Sequence, residues 1–205
     1  MFLYLTSVAS KTLDKLVPFL PRSPKDLKVA FVPTAGDLYK EKPWMEADRA
    51  KLIELGFQVI DVDIKNKTFE ELKRELSDKD IIFVAGGNTS YLLEKAQESG
   101  FLEIVRVLVS NSVIYIGSSA GSLLAGPNIE VDKIYDDGDF GKELKSYEAL
   151  GLVNFVILPH ADNPKYAPYS ERILNEYGNK YELRRLNDDQ AILVNGENIQ
   201  VVTSP

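Results

Sequence analysis

The run Val113-Ile-Tyr-Ile-Gly-Ser-Ser-Ala-Gly-Ser-Leu-Leu-Ala125 carries a Gly117-x-Ser119-x-Gly121 pattern between a β-branched apolar stretch and a helix-forming one. That is the setting a nucleophilic serine requires. A sharp strand-to-helix turn exposes its hydroxyl, flanking glycines let neighbouring backbone pass closely, and the helix N-terminus favours negative charge. Ser119 is the candidate nucleophile, with Ser118 beside it; the competing reading is a plain turn whose serine caps the helix. A serine hydroxyl attacks a carbonyl at neutral pH only with help from a base, usually imidazole. The chain has a single histidine, His160, at the end of the apolar run Asn154-Phe-Val-Ile-Leu-Pro-His160. A serine–histidine pair therefore has to be Ser119 with His160; otherwise His160 is a structural or surface residue.

Such a pair also needs an acid to hold the imidazole. Two stretches offer one. Asp136, Asp137 and Asp139 would give the order Ser…Asp…His, though that run reads equally well as a solvated loop and lacks the spacing of a calcium-binding EF-hand. Asp188 and Asp189 lie just before a late apolar run and are better placed to be held rigidly. A third segment, Ile81-Ile-Phe-Val-Ala-Gly-Gly-Asn-Thr-Ser90, runs from an apolar stretch into two glycines and then a helix that Thr89 or Ser90 could cap. Backbone N–H groups at Gly86-Gly87 could face a bound oxygen without obstruction from Cβ. An anion or dinucleotide site and a tight turn compete here, and neither G-x-G-x-x-G nor a P-loop lysine is present.

These segments need a scaffold. Short apolar runs occur at Phe2–Thr6, Val29–Val32, Gln58–Asp61, Ile81–Val84, Val113–Ile116, Phe155–Leu158, Ala191–Val194 and Ile199–Val202. Helix-length stretches lie between the first five, at Lys11–Leu20, Trp44–Leu55, Phe69–Leu76, Thr89–Ser99 and Phe101–Ser110. This alternation predicts βαβ units around a mostly parallel sheet, with a terminal hairpin turning at Asn195-Gly196. Ser119, Gly87 and His160 each follow a predicted strand, and in open α/β sheets that edge is where sites form. No linker, repeat or low-complexity stretch divides residues 1–205, which predicts one α/β domain.

Composition removes several function classes. Of 205 residues, 24 are Lys or Arg and 31 Asp or Glu, a net charge of −7 with no dense basic cluster, so a nucleic-acid partner is not expected. With no cysteine and one histidine there is no disulfide, no thiol nucleophile and no Cys- or His-rich metal site, and no metal or organic cofactor is expected. The N-terminal MFLYLTSVAS lacks a basic region and reads as a strand rather than a signal peptide. No apolar stretch is long enough to span a membrane, and the expected location is the cytoplasm. A homo-oligomer is compatible with the sequence, since Trp44 or Tyr147 could be interface or surface.

AGGNTSYLL (85–93), IGSSAGSLLAGP (116–127), ILPHAD (157–162) and LNDDQAILV (186–194) together resemble the peptidase E family of serine peptidases, aspartyl dipeptidases related to the cyanophycinases. The TSV near the N-terminus and FVPTAG (31–36) fit as well. The resemblance implies a single-domain, three-layer α/β sandwich of the class I glutamine-amidotransferase type and a small peptide substrate. It also implies that Ser119 is the nucleophile, His160 the general base, and the N–H groups of Gly87 and Ala120 the oxyanion hole. Asp188 stands where the family has a glutamate, with Asp189 as the fallback. Candidate substrate contacts are Asn88, Tyr169 and Arg172. The aspartyl-specific enzymes use an arginine where this chain has Tyr169; Arg172 is close, and its alternative reading is a surface arginine paired with Glu176 at i, i+4. Two other readings stand beside the peptidase: a catalytically silent ligand- or partner-binding member of the same fold, and a nucleotide-binding protein using Gly86-Gly87.

Overall fold

A computed structural model describes residues 1–135, 141 and 143–204. Its strands are β1 (Phe2–Thr6), β2 (Lys28–Val32), β3 (Gln58–Asp61), β4 (Ile81–Val84), β5 (Ile114–Ser118), β6 (Phe155–Leu158), β7 (Glu182–Arg185), β8 (Gln190–Asn195) and β9 (Asn198–Thr203). The helices are α1 (Ala9–Leu16), α2 (Pro43–Glu54), α3 (Phe69–Leu76), α4 (Thr89–Ser99), α5 (Phe101–Ser110), α6 (Ala120–Leu124) and α7 (Ala167–Tyr177). Seven strands form one sheet in the order β3-β2-β4-β5-β1-β8-β9; the first five are parallel, while β8 and β9 are antiparallel additions.

Each central strand is apolar on both faces, because successive side chains point to opposite sides and both sides are covered. Leu3 and Leu5 enter one core and Tyr4 the other; Ile82 and Val84 oppose Ile81 and Phe83 in the same way. Helices α1 and α2 close one face through Leu13, Leu16, Met45 and Leu52. The opposite face is closed by α3 to α6 together with β6, all four of whose residues are buried there. The result is an α/β layered sandwich with a mostly parallel central sheet. Among the described residues no helix is long and apolar enough to cross a membrane.

Three features depart from the sequence reading. First, β6 lies outside the main sheet and pairs in parallel with β7, so the histidine loop comes from a second, two-stranded sheet. Strand β7 is ELRR, whose charged residues give no apolar alternation to read. Second, the predicted Lys11–Leu20 helix runs instead from Ala9 to Leu16 and continues as a 3-10 turn over Val17–Phe19. Pro18 cannot donate to a helical bond, which ends the α-helix. At the start, Val8 has no side-chain cap to offer, and the first N–H groups are taken by tertiary partners: Ala9 N–H by Ser118 Oγ at 3.3 Å and Ser10 N–H by Asp48 Oδ1 at 2.7 Å. Third, β5 extends through Gly117 to Ser118, so the turn falls on Ser119 alone.

The elbow is possible only because glycine lines it. A Cβ on Gly121 would lie 2.1 Å from the Val84 carbonyl oxygen of the neighbouring strand, and one on Gly117 would lie 2.6 Å from Gly121 backbone. Gly121→Ala is therefore expected to destabilise the fold by at least about 2 kcal/mol through overpacking against rigid backbone. Urea denaturation followed by circular dichroism measures this as a lower midpoint at unchanged slope.

Candidate active site

The parallel strands β1, β4 and β5 all end on one rim of the sheet, and β8, running the other way beside β1, begins there. That reversal is why a residue before a strand, Asp188, meets residues that follow strands. Register fixes the juxtaposition: Thr6 pairs with both Ser118 and Ala191, so Ser7, Ser119 and the turn before β8 are neighbours.

Ser119 sits at φ 49°, ψ −106°, in the left-handed half of backbone space that a non-glycine residue rarely adopts. Its N–H donates to the Thr6 carbonyl at 3.0 Å, and its own carbonyl accepts from Ser122 and Leu123 N–H at 2.8 and 3.0 Å. Its side chain makes no capping bond to α6. Ser119 Oγ instead lies 2.9 Å from His160 Nε2, and His160 Nδ1 lies 2.5 Å from Asp188 Oδ1. An ionised carboxylate only accepts, so Nδ1 carries the imidazole proton and the Nε2 lone pair faces the serine hydroxyl. The chain of bonds can draw a proton from Ser119 and stabilise the resulting imidazolium.

Ser7, just past β1, ties this arrangement together and was not singled out from the sequence except within TSV. It is buried; its Oγ accepts from His160 N–H at 2.7 Å and donates to Asp188 Oδ1 at 3.0 Å. His160, like Ser119, has a positive φ, 60°, and the Ser7 bond holds that strained backbone in place. The signal that could have found Ser7 is its position at the carboxyl end of a central strand. Asp188 N–H is fixed in turn by Asp162 Oδ1 at 2.9 Å.

Burial alone would push the Asp188 carboxyl up, but the hydrogen bond and charge of His160, with smaller help from Ser7 and Lys11, hold it below the ordinary value of 3.8. Asp189, the fallback, has a buried Oδ1 without a hydrogen-bond partner among the described residues, while its backbone carbonyl accepts from Ser204 N–H at 2.8 Å. Asp136, Asp137 and Asp139 lie outside the described residues.

The glycine loop after β4 presses against the serine: a Cβ on Gly86 would lie 3.2 Å from Ser119 Cβ. Gly87, at φ 149°, passes so close to the loop after β2 that a Cβ would sit 2.1 Å from the Ala35 carbonyl oxygen. Among the described residues no hydrogen bond occupies Gly87 N–H. Ala120 is the first residue of α6, and its N–H has no intrahelical acceptor by position. Asn88 is a correction: it is 2% exposed, does not line the cleft, and spends its Oδ1 accepting from Tyr91 N–H at 2.8 Å as the cap of α4, the task expected of Thr89 or Ser90. Arg172 is a second correction. It lies on the exposed side of α7 with Nε 2.7 Å from Glu176 Oε1, and it is not among the described residues that line the cleft. Tyr169 does line the cleft, its ring 5.2 Å from that of Tyr135.

That cleft has a volume of about 430 Å³. Ser119 and His160 open onto it, with Tyr166 stacked obliquely 5.0 Å from the imidazole, and Trp44 also lines it. Trp44 Nε1–H donates to the Gly86 carbonyl at 3.2 Å, which makes it a wall of the site rather than a free surface aromatic.

The layered α/β fold and a serine–histidine–aspartate chain at its rim define a hydrolase-like class of site, and comparison with known proteins makes the family specific. Residues 5–202 match peptidase family S51, and the chain belongs to that family; it is a peptidase. An uncharacterized peptidase of Listeria monocytogenes is 30% identical over 200 residues, 96% of each chain. Peptidase E of a Nostoc species is 30% identical over 178 residues, 87% of this chain and 66% of the relative. A crystal structure of a candidate peptidase E from Listeria monocytogenes EGD-e superimposes with a TM-score of 0.88 at 28% identity, covering 98% of each chain.

A carboxylate whose folded value is depressed stabilises the fold when ionised, above its ordinary 3.8, and that contribution disappears as pH falls through the folded value. Asp188→Asn is thus expected to lower Tm at neutral pH, with the difference from wild type shrinking as pH falls below 3.8 and the carboxyl takes up its proton. Thermal melts across that range read it directly.

Proposed function

We propose that the protein is a serine peptidase hydrolysing short peptides, with Ser119 as nucleophile, His160 as general base and acid, and Asp188 as the group that orients and charges the imidazole. The observation that carries this reading is the unbroken path Ser119 Oγ–His160 Nε2 and His160 Nδ1–Asp188 Oδ1, at 2.9 and 2.5 Å, built on a strained serine. His160 takes the hydroxyl proton as Ser119 Oγ adds to the scissile carbonyl. The N–H groups of Gly87 and Ala120 receive the oxyanion, where one such donor is worth about 3 kcal/mol. His160 then hands the proton to the departing amine. Water, deprotonated by the same imidazole, releases the acyl group and restores Ser119.

The cleft volume suits a ligand of dipeptide size. Among the described residues its walls contain Tyr169 and no arginine, which supports a preference other than N-terminal aspartate. Two carboxylates in those walls, Asp48 and Asp188, speak against a polyphosphate occupant.

Fluorophosphonate labelling followed by intact-mass analysis tests the reading. One adduct is expected on wild type, none on Ser119→Ala, and labelling slowed at least about 10²-fold on His160→Ala. A well-folded wild type that takes no adduct refutes it. With a cleaved dipeptide in hand, Asp188→Asn is expected to lower kcat by about 10³-fold or more, because the imidazole loses the tautomer that keeps Nε2 free.

A further inference from the structure

Asp48, on α2, is a buried carboxylate that the mechanism above does not use. It is 1% exposed and forms part of the cleft wall beside Ser118. Ser118 Oγ–H donates to its Oδ2 at 2.7 Å and Ser10 N–H to its Oδ1 at 2.7 Å. Both bonds come from neutral donors, and among the described residues no lysine, arginine or histidine pairs with it. The other carboxylate of the cleft, Asp188, has His160 at 2.5 Å and Lys11 at 3.9 Å. Buried charges are ordinarily paired, because two neutral hydrogen bonds do not offset the loss of water around an anion. Burial accordingly pushes the Asp48 carboxyl upward.

The same part of the cleft is walled by aromatic rings. Tyr39 and Trp44 meet edge to face with centroids 5.2 Å apart, and both line the cavity next to Asp48. Trp44 is locked in place by its bond to Gly86, in the loop against Ser119. Trp44 and Asp48 stand four residues apart on one face of α2, and a carboxylate without a cationic partner in a cleft it shares with aromatic rings suits an ammonium group: the anion supplies the charge partner and the rings the quadrupole.

We propose that Asp48, with Trp44 and Tyr39, forms a cation subsite that binds an ammonium group of the substrate. This rests on the peptidase reading above and adds its substrate class: peptides bearing a positive charge beside the scissile bond. The ammonium is either the free α-amino group of the peptide or the side chain of a lysine.

The test compares kcat/KM for alanine p-nitroanilide, N-acetylalanine p-nitroanilide and Nα-acetyllysine p-nitroanilide in wild type and Asp48→Asn. Asparagine keeps an acceptor for Ser10 N–H and a polar partner for Ser118. Loss of a charged hydrogen bond is expected to reduce the preference for a cationic substrate over N-acetylalanine p-nitroanilide by about 10- to 100-fold. A fall in the alanine ratio identifies the α-ammonium; a fall in the acetyllysine ratio identifies the side chain. If neither ratio moves, the subsite is wrong. Should Asp48→Asn fail to fold, wild type alone decides: alanine amide or n-butylamine is expected to protect Ser119 from fluorophosphonate while N-acetylalanine amide does not, and equal protection or none overturns the proposal. If wild type takes no label at all, the serine-peptidase reading falls. The subsite then stands or falls on whether alanine amide or n-butylamine raises the wild-type Tm while N-acetylalanine amide does not.

Discussion

The backbone of Ser119 is the constraint around which the site is arranged. A residue at φ 49° costs free energy unless its surroundings dictate that shape, and here they do so from several sides. Thr6 is central to this. Its carbonyl accepts from Ser119 N–H at 3.0 Å and from Ser122 Oγ–H at 2.7 Å, and its own hydroxyl donates to the Gly117 carbonyl at 3.0 Å. Tyr115 OH, fully buried, donates to the Gly121 carbonyl at 2.6 Å, while Gly121 itself rests against Val84. Strands β1, β4 and β5 thus hold the turn between them. The hydroxyl of Ser119 makes no bond to its own helix and lies 2.9 Å from His160 Nε2 at the edge of the cleft.

The histidine is held by equivalent means from outside the main sheet. β6 lies in the core that covers one face of the main sheet, and it pairs in parallel with β7 while the chain leaves its end at His160 with φ 60°. Ser7 bridges the two systems. Its single hydroxyl bonds the histidine backbone and the aspartate side chain, so the three reactive groups are referenced to one point on β1. This arrangement ties turns at strand ends to the sheet through buried hydrogen bonds, which is what precise positioning requires.

The cleft has a polarity of its own. Tyr39 and Trp44 form one aromatic group in its lining with Asp48, and Tyr135, Tyr166 and Tyr169 form another, with Lys165 also lining the cleft. A carboxylate that serves both as a tertiary cap for α1 and as part of the cleft wall couples helix placement to whatever occupies that wall.

Much of this was legible in the chain itself. All eight apolar runs became strands, the central buried parallel ones leaving continuous β-branched stretches, and the terminal hairpin followed from Asn195-Gly196. Ser119 was marked by its glycines, and His160 stood out as the single histidine. Tertiary structure decided what local sequence could not encode. It made β8 antiparallel, which carries Asp188 rather than Asp189 to the imidazole, and it paired the charged β7 with β6. It also turned Asn88 into a helix cap, left Arg172 on the surface, and brought Ser7 and Asp48 to the cleft from distant parts of the chain. The reason is physical: periodicity and turn chemistry report on neighbours a few residues away, whereas a site is made of groups whose proximity depends on strand order and direction.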